Sequence, residues 1–193
     1  MVMTMTEYEF VLRFQLPTDD DKPESFLDAL YEAGCDDAVV GVGLAGYLSL
    51  DFTREAESAK KAVQSAINNV QKAIPNATLI EVSPDLLNTT EIADLCSERV
   101  QKISRQAIRK YAFGHVAKTF TRFPAPAVTS SSSLWHVDDV ISWMITNKKI
   151  TNNRHPCSAE KLLEIAKTAR ALNLRVQARG IQDDVQALDF LAS

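Results

Sequence analysis

The chain reads LLNTTEIADLC at residues 86–96, ISRQAIRKY at 103–111 and LWHVDDVISWM at 134–144. In each segment several apolar residues lie three or four positions apart, which is typical of a helix with one buried face. Between the second and third segments lies FPAPAV at 123–128, whose two prolines forbid a helix and favour an extended chain. Four serines follow at 130–133. The pattern predicts two helices, a proline-bounded hairpin and a third helix.

Polar residues that can cap a helix stand before each apolar run. Thr89 or Thr90 precedes the first, Ser104 the second, and Asp138 and Asp139 the third. A capping oxygen accepts a hydrogen bond from a backbone N–H group that the first turn leaves unpaired. We therefore expect three separate helices with defined starts.

The second of these helices has an inward face of Ala107, Ile108 and Tyr111. Its outward face is cationic and polar and comprises Arg105, Gln106, Arg109 and Lys110. In a major groove, Arg can pair with guanine and Gln with adenine. An ordinary cationic surface helix would look the same, but the flanking hairpin favours DNA. The serines at the hairpin tip are small enough to approach a phosphate backbone, although a solvent loop suits them equally well.

These residues carry a resemblance to a known group. EIA at 91–93, ISRQAIRKY, FPAP and LWxxxDVxxW resemble the winged helix-turn-helix of MerR-type regulators and of excisionase or AlpA-like proteins of mobile elements. The resemblance covers about residues 86–146. It implies that 104–110 is the recognition helix, that 130–133 is the wing tip, and that Trp135, Val140 and Trp143 lie in the core.

One departure concerns the link between the first two helices. The family passes through a short glycine turn, whereas residues 97–102 look inserted here and contain no glycine. Either the first helix is longer, or the turn is remodelled with Arg99 and Lys102 near the DNA backbone. The residues expected to contact DNA are Thr90, Arg99, Lys102, Ser104, Arg105, Gln106, Arg109, Lys110, Lys118, Arg122, Ser130, Ser131, Ser132 and Ser133.

Charge is distributed unevenly along the chain. The net charge is -4, but residues 1–85 carry 6 Lys/Arg against 15 Asp/Glu, while residues 86–154 carry 10 against 5. Phosphate would attract the second region and repel the first. We expect double-stranded DNA to bind residues 86–155, and the acidic region to point away from it or to bind a protein partner or small ligand.

The first 85 residues alternate strand and helix patterns. Residues 8–16, 38–42, 47–52 and 78–82 are β-prone, and two helices are expected over 24–33 and 56–73. The order β-α-β-β-α-β is that of the ferredoxin-like fold, which hosts many functions. The expected fold class is α+β: a ferredoxin-like domain over 1–85, a winged helix-turn-helix domain over 86–155 and a helical tail over 156–193.

Two motifs in the acidic region suggest chemistry that their context does not support. Residues 41–46 match GxGxxG, but a dinucleotide site needs a helix after the third glycine, and a strand pattern follows instead. A hairpin is the favoured interpretation. The acidic loop at 18–23 and the adjoining Glu24 lack the spacing of a calcium loop, so we expect this cluster to be solvated.

The tail has apolar residues at helical spacing over 158–172. Such a helix could form a homodimer contact, since operators are commonly two-fold, or it could pack on the N-terminal domain of the same chain. We favour the dimer contact.

Composition limits the class of protein. Cys35, Cys96 and Cys157 are few and widely spaced, so neither a zinc site nor a disulfide framework is expected. No run of 18 uncharged apolar residues and no leader pattern is present. We therefore expect neither membrane insertion nor secretion. We expect the protein to be cytoplasmic. No nucleophile and base pair is recognisable, so we expect no catalytic residues, no metal and no cofactor.

The sequence thus favours a DNA-binding transcriptional regulator, acting as a homodimer in a bacterial or phage element. An antitoxin-like protein is the alternative. In that case the acidic domain would neutralise a protein partner while the DNA module regulates its own gene.

Overall fold

The computed structural model describes residues 5–41, 43–114, 119–129, 131–150 and 158–179. Within these residues the chain is a mixed α/β protein with six α-helices and a four-stranded antiparallel sheet. No helix among the described residues combines the length and apolar character that a membrane crossing needs.

The main sheet is built from the first 83 residues. Its strands are β1 (Thr6–Gln15), β2 (Ala38–Gly41), β3 (Tyr47–Ala56) and β4 (Thr78–Ser83), in the order β2-β3-β1-β4. Alternate side chains of β1 and β3 are buried on one face, as their period-2 patterns predict. Phe10 and Phe52 are cross-strand neighbours on that face, with stacked rings 5.3 Å apart. The opposite face carries exposed or partly exposed residues.

Helices α1 (Leu27–Glu32), which follows a 3-10 turn at Pro23–Phe26, and α2 (Ala59–Ala73) complete this region. Both helices occur where the sequence predicts them. The buried stripe of α2 consists of Ala59, Ala62, Val63, Ala66, Ile67 and Val70. Ser58 caps α2 by accepting a hydrogen bond from the Lys61 N–H group.

The glycine motif forms a turn between two strands. Gly46 has φ +79°, a conformation that suits glycine, and β3 begins at the next residue, Tyr47. The acidic loop lies against this turn, because the Gly46 N–H group donates to the Asp21 carbonyl oxygen at 2.9 Å. Asp19 and Asp20 are exposed. A strand, not a helix, therefore follows the third glycine.

The second half contains short strands and helices. The strands β5 (Leu86–Leu87) and β6 (Trp135–His136) pair antiparallel, and the helices are α3 (Thr89–Arg99), α4 (Arg105–Phe113) and α5 (Val137–Thr146). The prediction that Asp138 and Asp139 cap α5 is wrong. His136 occupies the cap position, and both aspartates lie in the first turn, where their charge suits the positive end of the helix.

The last described element, α6 (Ser158–Arg179), packs within the same chain. It lies against β4, α2 and α5, and its buried residues include Leu162, Ile165 and Ala169. Polar contacts also hold α6 against β1 and α2, because Glu164 accepts hydrogen bonds from the Tyr8 hydroxyl and the Ala59 N–H group. Packing on the same chain is one of the two alternatives for the predicted tail. Residues 180–193 lie outside the described residues.

Arg170 joins α6 to α5. Its Nη1 atom lies 3.0 Å from carboxylate oxygens of both Asp138 and Asp139. Desolvation lowers the pKa of Arg170, but the two carboxylates outweigh it and the net shift is upward. These ion pairs thus tie the first turn of α5 to α6. The buried apolar residues of the two halves form one continuous core.

Candidate nucleic-acid interface

The N-cap of α3 lies one residue before the first of the two predicted caps. Asn88, not Thr89 or Thr90, is the N-cap, and its Oδ1 atom accepts hydrogen bonds from the N–H groups of Thr90 and Glu91. The Glu91 carboxylate in turn accepts from the Asn88 N–H group at 2.8 Å. This reciprocal capping box satisfies donors that would otherwise lack partners, and it leaves Thr90 exposed in the first turn.

Hydrogen bonds hold the link between α3 and α4, which contains no glycine. Helix α3 runs to Arg99, so part of the apparent insertion lengthens the first helix. The Ser97 hydroxyl donates to the Ile103 carbonyl oxygen at 2.9 Å and accepts from the Ile103 N–H group at 3.1 Å. The Gln101 side chain donates to the Lys149 carbonyl oxygen. These hydrogen bonds hold the conformation of the link between α3 and α4.

Helix α4 has the predicted cap and the predicted faces. The Ser104 hydroxyl accepts from the Ala107 N–H group at 3.1 Å. Ile108 is fully buried, and the Tyr111 ring lies 5.4 Å from that of Trp143. The outward residues are all exposed: Arg105, Gln106, Arg109 and Lys110.

The hairpin is a narrow ribbon beside α4. Val128 and Leu134 form an antiparallel bridge, and the Trp135 indole donates to the Pro124 carbonyl oxygen at 3.1 Å. Trp135, Val140 and Trp143 are buried, as the resemblance implies. After the hairpin the chain continues through β6 into α5. Residues 129 and 131–133 are the described part of the hairpin tip.

An open groove of about 720 Å³ lies between α3, α4 and the hairpin. Its lining combines the first turns of both helices with the serines of the tip: Asn88, Thr89, Thr90, Arg105, Gln106, Arg109, Phe113, Ser131, Ser132, Ser133 and Trp135. Seven of the fourteen residues expected to contact DNA meet here. Ser104 lies next to them as the cap, and Lys110 is exposed on the same helix.

Arg99 is expected to contact DNA, but the structure places it away from this groove. Its side chain is 17% exposed, and its Nε atom lies 2.9 Å from Oε2 of Glu9. This contact is an ion pair only, because Arg99 Nε makes no hydrogen bond with the described residues. Instead, Nη1 donates a hydrogen bond to the Glu9 carbonyl oxygen at 2.8 Å. Arg99 thus connects the end of α3 to β1.

Other expected contacts lie off the groove. Lys102 is exposed on the link between α3 and α4 and lines a separate depression there. Arg122 is exposed before the hairpin and lines a cavity with Tyr111 and Phe123. Lys118 and Ser130 lie outside the described residues.

The groove also contains residues that the sequence interpretation missed. Asn88 and Thr89 lie at its edge, and Phe113, 65% exposed, contacts Trp135 edge-on with ring centroids 5.7 Å apart. The spacing Asn88-x-x-Glu91 is a capping-box signal that could have identified the start of α3. No comparable signal identifies Phe113, because its exposure depends on where the hairpin packs.

Arg105 is the one groove cation with a carboxylate partner among the described residues. Its Nε and Nη2 atoms donate to Oδ1 and Oδ2 of Asp94 at 3.0 and 2.8 Å. The hydrogen bonds to Asp94, and then its charge, raise the pKa of Arg105. Arg109 and Lys110 contact no carboxylate in the part of the chain that the structure describes, and both side chains are exposed.

Comparison with known proteins does not identify a family for this chain. No family model, no curated protein and no solved structure matches it.

Proposed function

We propose that this chain is a sequence-specific DNA-binding transcriptional regulator. Helices α3 and α4 would act as a helix-turn-helix, with α4 in the major groove and the serine tip of the hairpin on the phosphate backbone. The observation that carries the proposal is the groove in which the first turns of α4, the start of α3 and the hairpin tip meet.

The exposed side chains of α4 suit this role. Gln106 and Arg109 lie three positions apart on the outward face, and neither has a protein partner among the described residues. A major groove admits one α-helix, and amide and guanidinium groups from its first turns can reach base edges. Ser131 and Ser133 lie across the groove from them, where hydroxyl groups can donate to phosphate oxygens.

The N-terminal region would have a separate task. Its strand order β2-β3-β1-β4 with two connecting helices supports a ferredoxin-like arrangement. Its net negative charge disfavours contact with DNA, and its proposed task is that of a sensor or partner-binding domain. A homodimer would place two α4 helices on paired half-sites, but it needs a surface other than the buried face of α6.

The test is selection of DNA by the full-length protein. We expect it to enrich a defined sequence from a pool of randomised duplexes, and its affinity for that sequence to fall steeply with salt because phosphate contacts release counterions. Arg109→Ala and Gln106→Ala should each weaken binding, while Lys60→Ala on α2 should not. If no sequence is enriched and duplex binding is absent even at low salt, the proposal is wrong.

A second role, binding of a protein partner, is favoured by the open face of the sheet. Glu7 and Glu55 are exposed cross-strand neighbours, an unfavourable pairing of like charges. Leu44 is 69% exposed and Tyr47 is 43% exposed at the other end of this face. A basic partner with an apolar surface would suit both. If immobilised wild-type protein and a Leu44→Asp/Tyr47→Asp variant retain the same proteins, this surface has no such role.

A further inference from the structure

Arg105 and Asp94 form an ion pair across the two helices that border the groove. Arg105 is the first residue of α4, and Asp94 lies in the middle of α3. The side chains are 66% and 54% exposed. The hydrogen bonds run from Nε to Oδ1 and from Nη2 to Oδ2, so a single edge of the guanidinium is in use and its plane is fixed relative to α3.

The other edge of the guanidinium remains available. A guanidinium has five N–H donors, and the carboxylate takes one from Nε and one from Nη2. The end formed by Nη1 and the second Nη2 hydrogen still offers two parallel donors. This is the geometry that pairs with O6 and N7 of guanine. Arg105 lines the groove beside Gln106 and Arg109, where such a base edge would lie in the proposed complex.

Stability alone gives a poor account of Asp94. An exposed ion pair of this kind contributes little to folding. A carboxylate next to a DNA-binding groove also repels phosphate, so it weakens binding that does not depend on sequence. What the pair does provide is order. A free arginine side chain samples many rotamers, and Asp94 removes much of that freedom before DNA arrives.

We propose that Asp94 is a positioning residue that sets specificity by holding Arg105 in place to read a guanine. The inference rests on the proposed DNA-binding function. Asp94 keeps the guanidinium directed at a base edge and discourages it from turning to the phosphate backbone. Asp94 itself contacts no base.

The experiment compares variants of the full-length protein by selection from randomised duplexes, followed by affinity measurements on the selected site. We expect the wild-type site to contain a guanine whose replacement lowers affinity by about 10–100-fold, the range for a bidentate contact. Arg105→Ala should lose this preference entirely. Asp94→Ala and Asp94→Asn should reduce it to a few-fold and should bind random duplex more tightly than the wild type does.

Glu98→Ala is the matched control, because Glu98 is an exposed carboxylate on α3 that does not contact Arg105. It changes the net charge equally, so it should raise affinity for random duplex while the guanine preference stays intact. Thermal melting of each variant separates loss of folding from loss of specificity.

The outcomes separate the two proposals. If the wild type enriches a sequence and Asp94→Ala keeps the full guanine preference, the role of Asp94 is overturned while DNA binding stands. The same holds if Arg105→Ala keeps that preference. If the wild type enriches no sequence and binds no duplex, both proposals are wrong.

Discussion

The Asn173 side chain pairs with the backbone of Val82 as a neighbouring strand would. Its Oδ1 atom accepts from the Val82 N–H group at 2.8 Å, and its Nδ2 atom donates to the Val82 carbonyl oxygen at 2.9 Å. Nδ2 also donates to Oδ2 of Asp85. One side-chain amide from α6 therefore pairs with both backbone polar groups of Val82 in β4. Asn173 itself is only 7% exposed.

We predict that Asn173→Ala destabilises the protein by at least about 2 kcal/mol, because buried donors and acceptors are left without partners. Urea denaturation followed by circular dichroism measures the change. Asn68→Ala, an exposed position on α2, should change the free energy of unfolding by no more than about 0.5 kcal/mol. Equal effects at the two positions would contradict the role assigned to Asn173.

A second prediction concerns two arginines on adjacent strands. Arg54 is buried, with hydrogen bonds to Asp37 at 2.6 and 2.7 Å and to the Gly34 carbonyl oxygen at 2.7 Å. Arg13 pairs with Glu81 on the exposed face, where both side chains are close to half exposed. Arg54→Ala should cost about 2–3 kcal/mol, because it removes charge-assisted hydrogen bonds to the Gly34 carbonyl oxygen and to Asp37, whose side chain is 29% exposed.

Arg13→Ala is the control and should cost no more than about 1 kcal/mol, since exposed ion pairs contribute little. Differential scanning calorimetry of both variants distinguishes the two environments. A similar loss in each would mean that the network around Arg54 does not stabilise the sheet.

The sequence patterns that predict the fold are local. Most of the features that they miss are contacts between residues far apart in the sequence. Alternation in β1 and apolar spacing in α2 follow from the geometry of each element, so both were predicted correctly. The Asn88 cap is an exception, because the capping-box spacing Asn88-x-x-Glu91 is itself a local signal. The partner of Arg99 lies ninety positions earlier in the chain, and the residues that pack on α6 come from five elements, β1, β4, α2, α3 and α5. Sequence spacing carries no information on such pairings.

A third prediction concerns alkaline pH. Burial raises the pKa of Cys96 to about 12 and that of Cys35 to about 11. Unfolded thiols ionise at lower pH, so the folded protein binds more protons above about pH 8.5 and its stability falls as pH rises. The loss begins near the unfolded pKa and is complete above the folded one.

Denaturation at pH 8, 9.5 and 10.5 measures this loss. Cys96→Ala removes one buried thiol, so its stability should decline less steeply with pH than that of the wild type, whatever its stability at pH 8. A decline of the same steepness in both proteins would contradict the assignment to Cys96.

The final prediction separates two arginines that sequence alone assigns to the same role. Arg99 is held by Glu9 and is largely buried, whereas Arg109 is exposed in the groove. We expect Arg99→Ala to lower stability by about 1 kcal/mol, because a charge-assisted hydrogen bond is lost, and to leave affinity for the selected duplex unchanged. Arg109→Ala should keep wild-type stability and lose about 1–3 kcal/mol of binding free energy.

Thermal melting and fluorescence anisotropy on the same preparations give both quantities for each variant. Lys72→Ala, at an exposed position on α2 far from either contact, should change neither. If Arg99→Ala weakens DNA binding as much as Arg109→Ala while melting like the wild type, then Arg99 leaves Glu9 to contact DNA. The contact between α3 and β1 would in that case be one that DNA binding breaks.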